Sequence, residues 1–117
     1  MLRSSKDRNK NNEQMPFVDK RASSRIPVNI DARFFHGNIF YSGIVRNLSE
    51  QGMFIDTKKC LPSDSMFVVI IREENDLLKV IAKVKRASKN IDTCLGMGVE
   101  LLSPSAGYLD FIHRLHN

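Results

Sequence analysis

Two arginines, Arg21 and Arg25, have the type and spacing to recognise a charged ligand, and they lie four positions apart in the basic segment 20–25. A guanidinium group is planar and always charged, so it binds a phosphate, or the O6 and N7 edge of guanine, through paired hydrogen bonds. Lys20 adds a third cation directly before them. Charged side chains are mostly solvated, however, and this segment alone is better explained as exposed basic surface.

A second polar segment, N-L-S-E-Q-G, occupies positions 47–52. Asn47 and Ser49 carry side chains that hydrogen-bond well in turns, and Gly52 permits a positive φ or a close backbone approach. Taken alone, this segment is better interpreted as a tight connection between two strands. Its value as a binding element depends on what lies beside it.

The three histidines do not predict catalysis or a metal site. His36 falls in a predicted turn, and no histidine lies in a recognisable nucleophile motif. His113 and His116 are three residues apart and could share a helix face around a metal, but no third ligand accompanies them. We therefore expect a protein that is not an enzyme and that has neither a bound metal nor a cofactor.

The positive charge is concentrated near the N-terminus. The chain has 117 residues, enough for one domain, and a net charge of +5; residues 1–25 hold seven basic and three acidic side chains. Residues 1–19 contain few apolar groups and cannot bury enough surface to offset their ordering entropy. We expect 1–19 to be a flexible basic tail and 20–117 to be the folded domain.

Membrane insertion and secretion are not expected. The longest apolar run, 66–71, is far too short to span a membrane, and no apolar segment follows the N-terminal basic residues as in a signal peptide. Cys60 and Cys94 lack metal-type spacing and are expected to be reduced thiols in the core. These features predict a cytoplasmic protein.

From residue 26 onward, apolar and polar residues alternate in short segments separated by turn residues. The predicted strands cover residues 26–34, 39–46, 52–56, 65–72, 78–85 and 93–102. The run 66–71 is apolar on both faces and predicts a covered central strand. In the last strand Leu95, Met97, Val99 and Leu101 are expected to face inward, with Gly96 and Gly98 on the other face.

Near the C-terminus the spacing of apolar residues changes from the two-residue period of strands to helical spacing. Ser103 followed by Pro104 predicts a helix start with proline in the first position, and an apolar face then recurs at helical spacing. Six short strands and a closing helix predict a mainly all-β fold, a small six-stranded antiparallel barrel with a C-terminal α-helix.

The two polar segments should meet in this fold. The 21 residues between them, 26–46, are filled by one predicted hairpin, and a hairpin brings its two ends side by side. Arg25 and Asn47 should therefore be neighbours at one rim of the barrel. A ligand that carries phosphates and a purine-like edge would complement them.

At this point the sequence resembles the PilZ domain family. An R-x-x-x-R at 21–25, a strand pair, an N-x-S-x-x-G at 47–52 and a G-M-G-V-E-L strand at 96–101 occur in the family's order over residues 20 to the terminal helix. The resemblance implies a bacterial cyclic di-GMP receptor. Arg21 and Arg25 would hold the phosphates and guanine edges, while Asn47, Ser49 and Gly52 would form the opposing wall.

Two departures from the family pattern bear on binding. Asn47 stands where aspartate is commoner, and an amide offers one acceptor oxygen without charge assistance. Lys20 occupies the position that bears on whether one ligand or a stacked pair is bound, so stoichiometry stays open. Gly96 and Gly98 could offer a side-chain-free wall to a base, or simply a bend that closes the barrel.

The proposed mechanism is ordering of the tail junction over the ligand, which would create a surface for a downstream protein partner. Two alternatives remain. A nucleic-acid-binding barrel would use the basic tail, but nucleic acid is not the expected partner because the remaining residues are nearly neutral and only 8% of the chain is aromatic. A degenerate PilZ domain would serve as a protein-interaction module without nucleotide.

Overall fold

The computed structural model describes residues 24–116, which form six antiparallel strands closed into a barrel and one helix. The elements are β1 (Ile26–His36), β2 (Ile39–Leu48), β3 (Gly52–Asp56), β4 (Met66–Glu73), β5 (Asp76–Asn90), β6 (Thr93–Leu102) and α1 (Ala106–His116). Around the barrel the order is β1-β2-β3-β6-β5-β4, with β4 pairing back onto β1. The fold class predicted from the sequence is confirmed. The predicted tail 1–19, Lys20 and Arg21 lie outside the described residues.

The two-residue period of the strands sorts side chains between the core and the outer surface. In β1, Ala32 and Phe34 are buried, while Asp31 and Arg33 between and before them are exposed. The same sorting around the barrel creates one continuous core, to which α1 adds Tyr108, Phe111 and Ile112. Burial of these side chains is the main favourable contribution to folding.

The expectation that β4 is covered on both faces is wrong. Its side chains at Phe67, Val69 and Ile71 are buried, but Met66 is 59% exposed and Val68 is only half-buried. A barrel strand has one inner face, so an apolar run through it must leave every second side chain outside. The outer face of β4 is therefore an apolar surface facing solvent.

The predicted end of β5 and the predicted inner face of β6 are partly wrong, for one reason. Register shifts interrupt the β5–β6 pairing between Val84 and Arg86 and again between Ser88 and Lys89. A bulge adds a residue and breaks the alternation on which a sequence prediction depends. The predicted end at residue 85 falls at the first shift, but β5 continues beyond it to Asn90. Leu95, expected to face inward, lies at the second shift and is 51% exposed.

The helix begins two residues later than predicted. Ser103 has a φ of +50°, which is outside the right-handed helical region, and α1 starts at Ala106. The hydroxyl of Ser105, not Ser103, accepts the backbone N–H of Tyr108 at 3.2 Å. Ser105 is therefore the N-cap.

Helix α1 packs against the barrel through Tyr108, Phe111 and Ile112. Its buried face adds to the core, and Arg114 near its end forms an ion pair with Glu73 at the end of β4. In the part of the chain that the structure describes, no helix has the length and apolar character needed to cross a membrane.

The expectation of two reduced thiols is also wrong in this structure, because Cys60 and Cys94 form a disulfide with a Cα–Cα distance of 5.4 Å. Cys60 lies in the loop between β3 and β4, and Cys94 lies near the start of β6. The two are 34 positions apart, and only the folding of the loop against β6 brings them within the usual Cα range for a disulfide.

Candidate functional site

The β1–β2 hairpin brings Arg25 and Asn47 together, as its predicted geometry requires. Pro27 pairs with Asn47 and Ile26 pairs with Leu48 across the two strands. Just outside β1, the Arg25 guanidinium Nη1 donates a hydrogen bond of 3.0 Å to Asn47 Oδ1. This contact is exposed, so both side chains are available to a ligand at the rim.

The segment after Asn47 is a tightly ordered loop held by Ser49. The Ser49 hydroxyl is buried and accepts the backbone N–H groups of Gln51 and Gly52, both at 3.2 Å, while the Ser49 N–H donates to the Gly52 carbonyl at 2.8 Å. The hydroxyl acceptor is thus engaged inside the loop. Ser49 shapes the wall of the site and exposes little surface of its own.

Gly52 is required by a close approach rather than by a positive φ. A Cβ at this position would lie 2.7 Å from the carbonyl oxygen of Val99 and 3.5 Å from Arg25 Nη2. The missing side chain lets β3 approach β6 and leaves the Arg25 guanidinium beside bare backbone.

These residues line one side of an open groove of about 960 Å³ at the barrel rim. Its lining brings together β2, the Ser49 loop, β3, β5 and β6. The residues are Arg25, Asn47, Ser49, Gln51, Gly52, Phe54, Lys85, Arg86, Ser88, Gly98, Val99, Glu100 and Leu101. A groove of this size with cations on two walls can accept a ligand with several anionic and polar groups.

The two glycines of β6 have different positions. Gly98 lines the groove, and a Cβ there would meet only the Arg86 carbonyl oxygen, at 3.9 Å. Gly96 has a φ of +154° and lies beneath the ring of Phe54, which a Cβ would strike. Gly98 therefore forms an unobstructed part of the floor of the groove. Gly96 is not among the lining residues, and its missing side chain makes room for the Phe54 ring.

Helix α1 supports the groove from below through Tyr108. The Tyr108 hydroxyl is completely buried and donates a 2.7 Å hydrogen bond to the Ser49 carbonyl. Burial raises the pKa of this phenol above its ordinary value, and the positive charge of Arg25 acts in the opposite direction. The neutral, donating form is thus maintained directly under the loop.

The sequence interpretation missed Phe54, Lys85, Arg86 and Ser88 as lining residues. Arg86 enters the groove because the bulge after Val84 turns β5 out of strict alternation and sets Arg86 opposite Gly98. The sequence did contain a signal for this. Lys85 continues the alternation of outward-facing lysines, but Arg86 directly after it adds a second charged residue where an inward-facing apolar one would be expected. Lys20 and Arg21 precede the described residues, so their role in ligand binding stays a prediction.

The fold and the candidate site together define a small antiparallel barrel with a cationic, glycine-floored groove at its rim. The family model described as PilZ domain matches residues 19–115, and the chain belongs to the PilZ domain family. Members of this family are binding and regulatory modules rather than enzymes. No significant match was found among curated proteins.

Two solved structures share the fold. The inhibitor of motility MotI/DgrA from Bacillus subtilis superposes with a TM-score of 0.65 and 19% identity, covering 81% of this chain and 48% of that protein. The PilZ domain of CeSA from a cellulose-synthesizing bacterium superposes with a TM-score of 0.63 and 18% identity, covering 80% of this chain and 94% of that domain. This chain therefore spans about half the length of MotI/DgrA.

Proposed function

We propose that this protein is a cyclic di-GMP receptor that binds the dinucleotide in the rim groove. The observation that carries the proposal is the exposed Arg25–Asn47 pair at the mouth of a groove whose wall is the ordered Ser49 loop. Membership of the PilZ family supports the same ligand. Cyclic di-GMP offers two phosphates and two guanine bases, which are the groups that arginine and amide side chains bind.

The groove residues divide these tasks by chemistry. Arg25 would exchange its bond to Asn47 for a charge-assisted bond to a phosphate or to guanine O6 and N7. Asn47 Oδ1 would then accept from a guanine N–H. Gly52 and Gly98 would let the ligand lie against backbone, and Arg86 on the opposite wall would supply a further cation.

Signalling would follow from ordering of the N-terminal junction. Arg21 precedes Arg25 by four residues, and its guanidinium would have to reach the ligand from the basic segment before β1. Binding would therefore place residues before Arg25 over the groove and create a surface for a downstream protein partner. The motility inhibitor and the cellulose-synthase domain among the structural neighbours make regulated motility and polysaccharide synthesis the processes to test first.

A cytoplasmic location is part of the proposal, since cyclic di-GMP is a second messenger inside bacteria. The Cys60–Cys94 disulfide would be subject there to the reducing thiol pool. The proposal therefore includes a protein that binds its ligand with or without this bond, because neither cysteine lines the rim groove.

Isothermal titration calorimetry of cyclic di-GMP into the full chain tests the proposal. Arg21→Ala and Arg25→Ala should each weaken binding by about tenfold or more, because a hydrogen bond to a charged group contributes about 1.5–3 kcal/mol. Arg33→Ala is the matched control, an exposed arginine on β1 outside the rim groove, and should leave the affinity unchanged.

Three further titrations define what would overturn it. GTP and cyclic di-AMP should bind more weakly than cyclic di-GMP, and the fitted stoichiometry reports one ligand or a stacked pair. Absence of heat with cyclic di-GMP, together with salt-sensitive binding of single-stranded DNA, would favour the nucleic-acid-binding alternative. Absence of both would leave a protein-interaction module that does not bind nucleotide.

A further inference from the structure

The outer surface of the barrel carries a row of apolar side chains that the core does not use. Phe35 of β1 lies opposite Phe40 of β2 and opposite Val68 of β4, and Val68 lies opposite Ile81 of β5. Residues directly opposite in an antiparallel pair share a face, so these four side chains form one continuous row across four strands. Phe40 is 62% exposed and Ile81 is 49% exposed.

Further apolar side chains widen this row into a patch. Met66 is 59% exposed on β4 and Leu77 is 64% exposed on β5, and both face outward with the row. Beside the row lies a groove of about 530 Å³ whose apolar lining includes Phe40, Ile70 and Leu77. A contiguous exposed apolar surface with a concave part is typical of a docking site for another protein.

The charges around this patch are mainly positive. Arg33, Arg72, Lys79 and Lys83 face outward beside the row, whereas Asp31 is the acidic residue lining the groove. Among residues 24–116, Arg33, Arg72 and Lys79 form no ion pair, and Lys83 makes a long contact of 3.9 Å with Asp64. Three cations at the patch therefore remain available to acidic groups from outside.

We propose that this outer patch docks an acidic amphipathic segment of a partner protein. Apolar side chains of that segment would cover the row from Phe40 to Ile81, and its aspartate or glutamate side chains would pair with Arg33, Arg72 and Lys79. The patch shares no lining residue with the rim groove, so the proposal does not depend on nucleotide binding.

Charge argues against the other occupants. A second copy would place the same cationic border against itself in a two-fold interface. The segment 1–23 carries six basic and three acidic residues and would be repelled as well. A nucleic acid would match the charge, but Phe35 and Phe40 are the only rings of the patch and they contact each other, whereas Val68, Ile81 and Met66 offer no ring on which further bases could stack.

The test uses a defined probe, a phage-displayed library of random 12-residue peptides selected on the full chain. Selected peptides are resynthesised, and their affinities are measured by fluorescence anisotropy. The patch variants are Phe40→Thr, Ile81→Thr and Arg33→Glu, which change exposed positions. The controls are Leu95→Thr, an exposed apolar residue of β6, and Lys58→Glu in the β3–β4 loop. Thermal melting checks that each variant is folded.

The proposal expects enriched peptides that combine acidic and apolar residues. Each patch variant should weaken their binding by about tenfold or more, salt should weaken it further, and the two control variants should leave it unchanged. Basic or uncharged peptides, or binding insensitive to the patch variants, would overturn the proposal. So would a dimer that Phe40→Thr dissociates in analytical ultracentrifugation, or binding of oligo(dT) that Phe40→Thr abolishes.

Discussion

The buried hydroxyl of Tyr108 donates a 2.7 Å hydrogen bond to the carbonyl oxygen of Ser49, joining the C-terminal helix to the loop that forms one wall of the rim groove. The two residues are 59 positions apart in the sequence. A second contact lies nearby, where His113 Nε2 is 3.4 Å from a carboxylate oxygen of Glu50. Helix α1 thus holds the loop from beneath while Arg25 and Asn47 face the groove.

Tyr108→Phe should lower both stability and ligand affinity. The substitution keeps the ring but leaves the Ser49 carbonyl without its donor, which costs about 1–3 kcal/mol of unfolding free energy. Urea unfolding measures that loss, and calorimetry with cyclic di-GMP should show weaker binding because the loop is less well ordered. Tyr41→Phe is the control: the Tyr41 hydroxyl makes no hydrogen bond among the described residues, and neither quantity should change. Unchanged affinity in destabilised Tyr108→Phe would show that the helix does not position the loop.

Asn47→Asp should strengthen cyclic di-GMP binding. A carboxylate offers two charged acceptor oxygens where the amide offers one neutral oxygen, and charge-assisted hydrogen bonds are about twice as strong as neutral ones. The gain corresponds to about fivefold in affinity, measured by calorimetry against wild type. Gln51→Glu adds a negative charge at another exposed lining position and should not strengthen binding. An equal gain in both variants would contradict a specific role for position 47.

Gly98→Ala and Gly96→Ala should separate binding from folding. The added methyl at position 98 has room in the fold but occupies the floor of the groove, so thermal stability should be retained while cyclic di-GMP affinity falls. At position 96 the methyl would meet the Phe54 ring and lie 2.8 Å from the Ile55 carbonyl, at a φ that disfavours alanine. This overpacking should cost about 1–3 kcal/mol or more. Full affinity in Gly98→Ala would exclude the floor from the ligand contact.

Cys60→Ser should destabilise the oxidised protein while leaving nucleotide affinity intact. The disulfide closes a loop over a separation of 34 residues, and such a cross-link contributes about 3–4 kcal/mol in the chain-entropy view. Urea unfolding with and without a thiol reductant measures this difference. Reductant should destabilise wild type but not Cys60→Ser. If wild type kept two reactive thiols in Ellman's assay under oxidising conditions, the bond would not form in solution.

The alternation of apolar and polar residues in strands can be predicted from the sequence, because the polarity of each residue indicates which face of the strand it occupies. The β1–β2 hairpin, with Ala32 and Phe34 inside and its ends together, followed from that local pattern and correctly placed Arg25 beside Asn47. The loop from Asn47 to Gly52 could also be predicted, because its hydrogen bonds join residues only a few positions apart. Fold class and one wall of the site were therefore predictable from short-range chemistry.

Features that depend on contacts between distant segments could be decided only by the tertiary structure. The bulges in the β5–β6 pairing place Arg86 in the groove and Leu95 outside, whereas the two-residue alternation assigns each of them to the opposite face. The Tyr108 hydroxyl donates to the Ser49 carbonyl, and Cys60 forms a disulfide with Cys94. Both contacts exist because the closed barrel brings together segments that are far apart in the sequence. A two-residue period assigns a face only while the register continues, and it says nothing about which distant residue lies opposite.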